Sequence, residues 1–407
     1  MNNKLLLWMW LAEVFGTANP RKWIATSRFD SIEECYDAFT NGDYYGLEYD
    51  ETIRIQNFNF DNAERIIEYC QKNNINMYCY ESEGFPKRLR EIYNPPSVIY
   101  AKHNSANLDF LDDNVTVAVV GSRKITDYYK KITEEISGQL ASAGIVVASG
   151  YAVGADTAAH KAAIENVGKT VAVLGSGIDY DYPKGTLSFK DVIAENGAVI
   201  SEFEPNHAPI GNDFKARNRL LSGISHGVLV TQASPISGSL NTVANAVSQG
   251  KDIFCVPPCD VFDENFSGVV NLIRDGAIPV FDARDVIGEY CENFSHKISY
   301  SRTMQKYIVK SEDSAIFSEK TITEKPKKPK TVKPLEKPVI KEIKAQIDTD
   351  NLSEKAKIIV EVLKNKEMLA DDIARETGIG IMELFGELTE LEIEGIVKSL
   401  PGNRYSL

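Results

Sequence analysis

The feature that most constrains this chain is a series of short, unbroken apolar runs beginning at Val115: "VTVAVV", "GIVVAS", "TVAVLG", "GAVISEF", "GVLVTQA" and "KDIFCVP". Each run ends in a glycine or polar turn, and helical stretches such as "YYKKITEEISGQLASAG", "DTAAHKAAIEN" and "SLNTVANAVSQG" lie between them. A strand with one wet face alternates apolar and polar residues, so unbroken runs require cover on both faces. Runs alternating with helices predict an α/β fold: an extended Rossmann-like, doubly wound, mainly parallel sheet over residues 115–300. In such a fold, ligands are expected at the loops following the carboxyl ends of the strands.

The flanking segments have other textures. Residues 1–83 alternate helical patterns ("LLLWMWLAEVFG", "SIEECYDAF", "AERIIEYCQKN") with polar turns, which predicts a small helical, SAM-like amino-terminal domain ending in a short strand at "INMYCYES". The opening "MNNKLLLWMWLAEVFG" reads as an amphipathic helix and not as a cleaved leader, because no small-residue cleavage site follows and Glu13 interrupts it. Pro86, Pro95 and Pro96 bias residues 84–114 toward an extended connection. Residues 301–350 hold a Lys- and Pro-rich linker with little to bury. Residues 351–407 have the rhythm of helix, helix-turn-helix around Gly378 and Gly380, then hairpin, which predicts a winged helix.

Among 407 residues, six cysteines are scattered, the pattern of reduced thiols in a cytoplasmic protein. Cys255 and Cys259 form the one close pair and lack a second pair or nearby histidines, so no metal site is expected. No apolar run is long enough to span a bilayer, and no membrane partner is expected.

The formal net charge is -13, which opposes indiscriminate binding of polyanions. The linker carries nine lysines against four glutamates between Ser318 and Gln346, so the remainder is more acidic still. Against that background "FKARNRLLSGIS" places Lys215, Arg217 and Arg219 within five residues. Extended backbone would put Lys215 and Arg217 on one side; a helix would put Lys215 and Arg219 on one face. In "VAVVGSRKIT", Gly121, Ser122, Arg123 and Lys124 occupy a strand-to-helix turn, where free backbone N–H groups attract anions. "ASGYAVGADTAAHKAAI" repeats the arrangement with Gly150 and Gly154. Asp156 there reads as a cap and His160 as a core residue, not as a catalytic pair. In "QASPISGSLNTVANAV", Ser237, Gly238 and Ser239 offer small donors at a third such turn. Cations from several loops meeting over helix starts suit successive phosphates better than one nucleotide.

Other fragments carry less. "VLGSGID" lacks the third glycine of a dinucleotide fingerprint, and "GKT" at Gly168–Thr170 precedes a strand where a phosphate loop would follow one. Nucleotide-cleaving phosphoribohydrolases of related fold carry a glutamate where Asn245 stands, and neither Asn245 nor Gln232 supplies a general base. No catalytic residue and no cofactor are expected.

Taken in order, "GFPKRLREIYNPPSVIYAK", "VAVVGSRKIT", "SGYAVGADTAAH", "GKTVAVLGSGIDYDYPK", "ISEFEPNHAPIGNDFKARNRLLSGIS" and "SGSLNTVANAVSQGKDIFCVP" resemble the DprA/Smf family of bacterial DNA-processing proteins. The resemblance covers nearly the whole chain. It implies a non-enzymatic, homodimeric protein that binds single-stranded DNA and helps load RecA recombinase onto strands covered by single-strand-binding protein during natural transformation. It makes Arg123, Lys124, Lys215, Arg217 and Arg219 phosphate partners, Ser122, Ser237, Gly238 and Ser239 loop donors, and Gly121, Gly150, Gly154, Asp156 and Asn218 loop-shaping residues. The chain departs from the family's pattern at Val153, where arginine is usual, at Ile236, where a basic residue is usual, and at Gly268, Val269 and Val270. These losses on the binding rim predict altered strand contact. The alternative reading is a Rossmann enzyme or sensor for a small nucleotide, similar to the phosphoribohydrolases.

Overall fold

The computed structural model describes residues 3–299 and, toward the carboxyl end, residues 353–364, 367–380, 384, 387–388, 391, 396–400 and 404–406. The chain divides into two units, 1–319 and 320–407. The Lys- and Pro-rich linker expected at 301–350 lies outside the described residues.

The first unit is built on nine strands: β1 (Asn76–Cys79), β2 (Val98–His103), β3 (Thr116–Val120), β4 (Val146–Ser149), β5 (Thr170–Leu174), β6 (Gly197–Ser201), β7 (Gly227–Val230), β8 (Asp252–Cys255) and β9 (Ile278–Pro279). Their order across the sheet is β1-β2-β6-β5-β4-β3-β7-β8-β9. From β6 to β9 every neighbouring pair is parallel; β2 runs antiparallel to both β1 and β6.

The apolar runs divide by alternation, as a pleated strand covered on both sides must. On one face Ala118 and Val120 of β3 join Val146, Val171, Val228 and Val230, and are covered by Leu220 and Leu221 of helix Gly211–Gly223, by Ile224 that follows it, and by Val243 and Ala246 of helix Ser239–Ser248. On the other, Val117 and Val119 join Val147, Leu229 and Phe254 under Ile136 and Leu140 of helix Asp127–Ser142 and Ala159 and Ala163 of helix Ala155–Glu165. The doubly wound mixed α/β fold is thus present, with its strands where the apolar runs predicted them.

Two expectations need correction. Helix Asn3–Phe15 is not amphipathic in use: Leu6 through Leu11 are consecutively buried. Between Leu6 and Leu11 the helix is enclosed all round because Cys35 and Phe39 of helix Ile32–Thr40, Ala63 and Ile67 of helix Asp61–Lys72, and sheet residues Val98, Tyr100 and Val199 share one core with it, while Lys4 and Glu13 near its ends are exposed. A helix apolar on every face is a buried helix. The second concerns "SVIYAKH", placed within an extended connection by its prolines; it forms β2 and continues the sheet. Pro95 and Pro96 precede the strand, where they remove no ladder donor.

The second unit contains helix Glu354–Leu363, helix Ala370–Thr377 and a three-stranded antiparallel sheet, β10 (Met368–Leu369), β11 (Lys398–Leu400) and β12 (Arg404–Ser406), ordered β10-β12-β11. Gly378 closes the second helix in the left-handed region at φ 71°, as the glycine-centred turn predicted. Ile359, Ile373, Leu384, Leu388 and Leu391 fill its core. This is a winged helix.

Candidate nucleic-acid interface

Strand order locates the site. The chain proceeds from β3 outward through β4, β5 and β6, then returns to lay β7 against the opposite edge of β3. The loops after β3 and β7 therefore diverge and leave a crevice at their carboxyl ends, the position where open α/β sheets bind ligands. A cleft of about 830 Å³ opens there.

It gathers most of the residues singled out from sequence. Ser122, Arg123 and Lys124 enter from the β3 loop, Gly150 and Asp156 from the β4 loop and the helix after it, Lys215, Arg217 and Asn218 from helix Gly211–Gly223, and Ser237, Gly238 and Ser239 from the β7 loop. Four cations line the cleft against one carboxylate, Asp156.

Local chemistry fixes each contributor. Asp213 accepts the Ile210 N–H at 2.9 Å and contacts His207 Nε2 at 2.8 Å, which starts the helix at Gly211. One turn on, Lys215 is exposed while Arg217 and Asn218 are buried. Arg217 donates through Nη1 to the carbonyl oxygens of Gly150 and Val173 and through Nε to Asn218 Oδ1 at 3.0 Å. Its charge is thus part of the cleft floor, whereas Arg123 and Lys124 are exposed on the rim. Burial lowers the Arg217 pKa to about 10, Asp156 opposing and Arg123 reinforcing that shift. Arg217 remains charged near neutrality.

Glycines permit the loops to approach. Gly154 has φ 89°, and a Cβ there would fall 2.4 Å from the Ser122 carbonyl oxygen. At Gly150 it would fall 2.6 Å from Arg217 Nη2.

Asp156 accepts the Ala152 N–H at 3.1 Å. Burial raises its pKa, the positive charge of Arg217 pulling the other way. His160 is fully enclosed, with Nδ1 2.7 Å from Thr170 Oγ1, and burial lowers its pKa to about 3, so it is neutral. It bonds to Thr170 and not to Asp156.

The structure does not bring Arg219 to the cleft. Its Nη2 donates to both oxygens of Glu202, at 2.8 and 2.7 Å, and Lys22 Nζ approaches the same carboxylate at 3.3 Å. All three groups are buried.

Several contributors to the cleft are not expected there from the sequence. Gln232 Oε1 accepts the Thr126 N–H at 3.1 Å and ties the β7 loop to the start of the helix after β3. Asn241 Oδ1 accepts from Asn218 Nδ2 at 3.2 Å, bracing the two cleft helices. Phe214 presents its ring to Arg123, whose guanidinium carbon lies 5.4 Å from the ring centroid. An aromatic next to the basic triplet was the available clue. Of the departures, Val153 and Ile236 are exposed, and Ile236 directly precedes Ser237 of the cleft lining; Gly268, Val269 and Val270, expected on the rim, lie instead in helix Ser267–Arg274, outside the cleft lining, with Gly268 and Val269 buried because that helix packs Val269 into the core.

The comparison with known proteins is decisive about kinship. The DNA recombination-mediator protein A family matches over residues 76–291, more than half of the chain, and the DprA winged helix domain matches over 344–403. This chain belongs to the DNA recombination-mediator protein A family. A DNA processing protein DprA from Streptococcus pneumoniae is 39% identical over 206 residues, covering 51% of this chain and 71% of that protein. The Smf protein of Synechocystis is 28% identical over 350 residues, covering 84% of this chain and 83% of its own length. In structure, the DprA of Streptococcus pneumoniae aligns with a TM-score of 0.60 at 30% identity, covering 69% of this chain and 96% of that one. The family match contains every residue of the cleft lining, so the cleft belongs to the part of the chain that defines the family.

Proposed function

We propose that this member of the recombination-mediator family binds single-stranded DNA along the β3/β7 cleft without cleaving it, and hands the strand to RecA recombinase in competition with single-strand-binding protein. The observation that carries the reading is the charge of the cleft: Arg123, Lys124, Lys215 and Arg217 face a single carboxylate in a protein of net charge -13. Four cations, two from the β3 loop and two from helix Gly211–Gly223, suit consecutive phosphates, with Ser122, Ser237, Gly238 and Ser239 as short donors between them. Phe214 offers a ring to a base beside the Arg123 contact. RecA, single-strand-binding protein and a homodimeric assembly in the cytoplasm are part of this proposal on the strength of family resemblance.

The deciding experiment compares single- and double-stranded oligonucleotides across a salt series. A preference for single strands, with log affinity falling against log salt by about 0.7 for each phosphate contact, is expected. Equal affinity for duplex, or no salt dependence, would remove the reading. A small-nucleotide enzyme or sensor is the second reading; it calls for saturable mononucleotide binding and an acid or base free to act. Asp156, the one carboxylate of the lining, is already held by the Ala152 N–H.

A further inference from the structure

A second groove, of about 650 Å³, adjoins the phosphate cleft and shares Arg123 with it. Its other walls differ in character: Val153, Tyr180, Tyr182 and Pro183 form an apolar and aromatic surface, and Asp181 and Lys184 complete the lining. Between the two grooves the Tyr182 ring lies 5.2 Å from the Phe214 ring, which itself carries Arg123 on its face. A continuous path therefore leads from the cations of the cleft, over Arg123 and the paired rings, to Tyr180.

The loop bearing these tyrosines is braced from beneath. Asp181 accepts the N–H of Gly185 at 2.9 Å and of Thr186 at 3.2 Å, so its carboxylate is engaged in shaping the loop. The buried ammonium of Lys190 donates to the carbonyl oxygens of Ile178 at 3.0 Å and Tyr180 at 2.7 Å. Tyr151 donates its hydroxyl proton to the Thr186 carbonyl at 2.5 Å. These bonds engage the Asp181 carboxylate and fix the loop, with the Tyr180 and Tyr182 side chains lining the groove. An aromatic wall preorganised by these bonds, with Arg123 in its lining and the Asp181 carboxylate engaged by the loop's own N–H groups, is complementary to nucleobases whose phosphates are held next door.

We propose that the Tyr180/Tyr182 groove is a nucleobase subsite, in which bases adjoining the phosphate held by Arg123 stack on the two tyrosine rings. This rests on the strand-binding reading of the neighbouring cleft and adds the second half of the recognition surface. It makes the contact tolerant of sequence, because every base has a π-face. Val153 extends the apolar wall in this chain.

The test uses the full chain and fluorescence anisotropy with dye-labelled oligothymidylate. Replacing two adjacent bases by abasic sites, moved stepwise along the strand, should weaken binding about tenfold at one register. The Tyr180→Leu, Tyr182→Leu double variant should show the same loss with intact oligothymidylate and no further loss with the abasic strand. Its salt slope should match that of the unaltered protein, since no phosphate contact has been removed. Tyr182→Phe, which keeps the ring, should retain affinity. Circular dichroism and the unfolding temperature check the fold. Should the double variant fail to fold, the abasic scan on the unaltered chain and the single Tyr180→Leu change decide the matter. Strand binding that is indifferent to every abasic register and to the leucine changes, while Arg123→Ala still weakens it, would overturn the subsite and leave the phosphate cleft standing. No strand binding at all would overturn the underlying reading. Thymidine monophosphate competing at the groove with the full affinity of the strand would assign the pocket to free nucleotides instead.

Discussion

Arg219 and Glu202 are joined through one guanidinium nitrogen, Nη2, which lies 2.8 and 2.7 Å from the two carboxylate oxygens in the interior of the protein. Lys22 comes from the amino-terminal helices to the same carboxylate at 3.3 Å, so one anion serves two buried cations. The pair links the helix that carries the cleft cations to the loop after β6 and to the first fifth of the chain. Two residues upstream on the same helix, Arg217 turns toward Gly150 and Val173.

Glu202→Gln should therefore be severely destabilising. It leaves Arg219 and Lys22 without a counter-charge in the interior, a situation that costs about 3–5 kcal/mol, a large part of a typical domain stability of roughly 5–15 kcal/mol. Urea unfolding measures it. The two cations hold the Glu202 carboxyl below the usual glutamate range despite its burial. A carboxylate with a depressed folded pKa contributes stability above its unfolded pKa of about 4.3, and that contribution is lost as pH falls through the folded value. The acid limb below about pH 4.3 should flatten in the glutamine variant. A loss of under about 1 kcal/mol would show that the pair is solvated in solution.

Exposed and buried cations of the cleft should respond differently. Arg123→Ala and Lys215→Ala remove exposed groups, so each should lower the salt slope for single-stranded DNA by about 0.7 and leave thermal stability within about 0.5 kcal/mol. Arg217→Ala should lower affinity and slope and also reduce the unfolding temperature, because the carbonyl oxygens of Gly150 and Val173 lose their donor. An unaltered slope in Lys215→Ala would place the strand elsewhere.

Gly154→Ala should damage the site from outside it. The residue sits at φ 89°, and the added methyl would meet the Ser122 carbonyl oxygen at 2.4 Å. Strain of about 1–3 kcal/mol is expected, together with weaker strand binding as the Ser122–Arg123 turn moves away from the β4 loop. Retention of both stability and affinity would mean that the turn has room to relax.

Ile236→Lys should do the opposite. Ile236 is 95% exposed beside Ser237, so the change removes no packing. An added cation there should raise single-strand affinity at low salt and steepen the slope by about 0.7. Unchanged binding isotherms at every salt concentration would take the β7 loop tip out of the strand path.

The sequence alone established the sheet, because strands buried on both faces must be apolar throughout, and "VTVAVV" or "TVAVLG" admits no other reading between helical stretches. It also established the rim turns at Gly121–Arg123 and Ser237–Ser239, since a strand-to-helix turn in a doubly wound fold lies at the carboxyl edge wherever it occurs. It could not separate the three cations of "FKARNR". Helical periodicity puts Lys215 and Arg219 on one face, but four residues advance the direction by about 40° beyond a full turn. That offset is not what separates them, because Arg217, about 200° from Lys215, lines the same cleft, while Arg219 leaves it for Glu202. Which partner a long side chain takes depends on what another element places within reach, and Glu202 arrives from a separate loop. The same holds for β2, whose strand character came from pairing with β6, and for the amino-terminal helix, enclosed because three other elements close around it. Local pattern determined which residues could be strands, turns and cations. Contacts between residues remote in sequence, set by tertiary packing, decided which cations face solvent and which neutralise a buried acid.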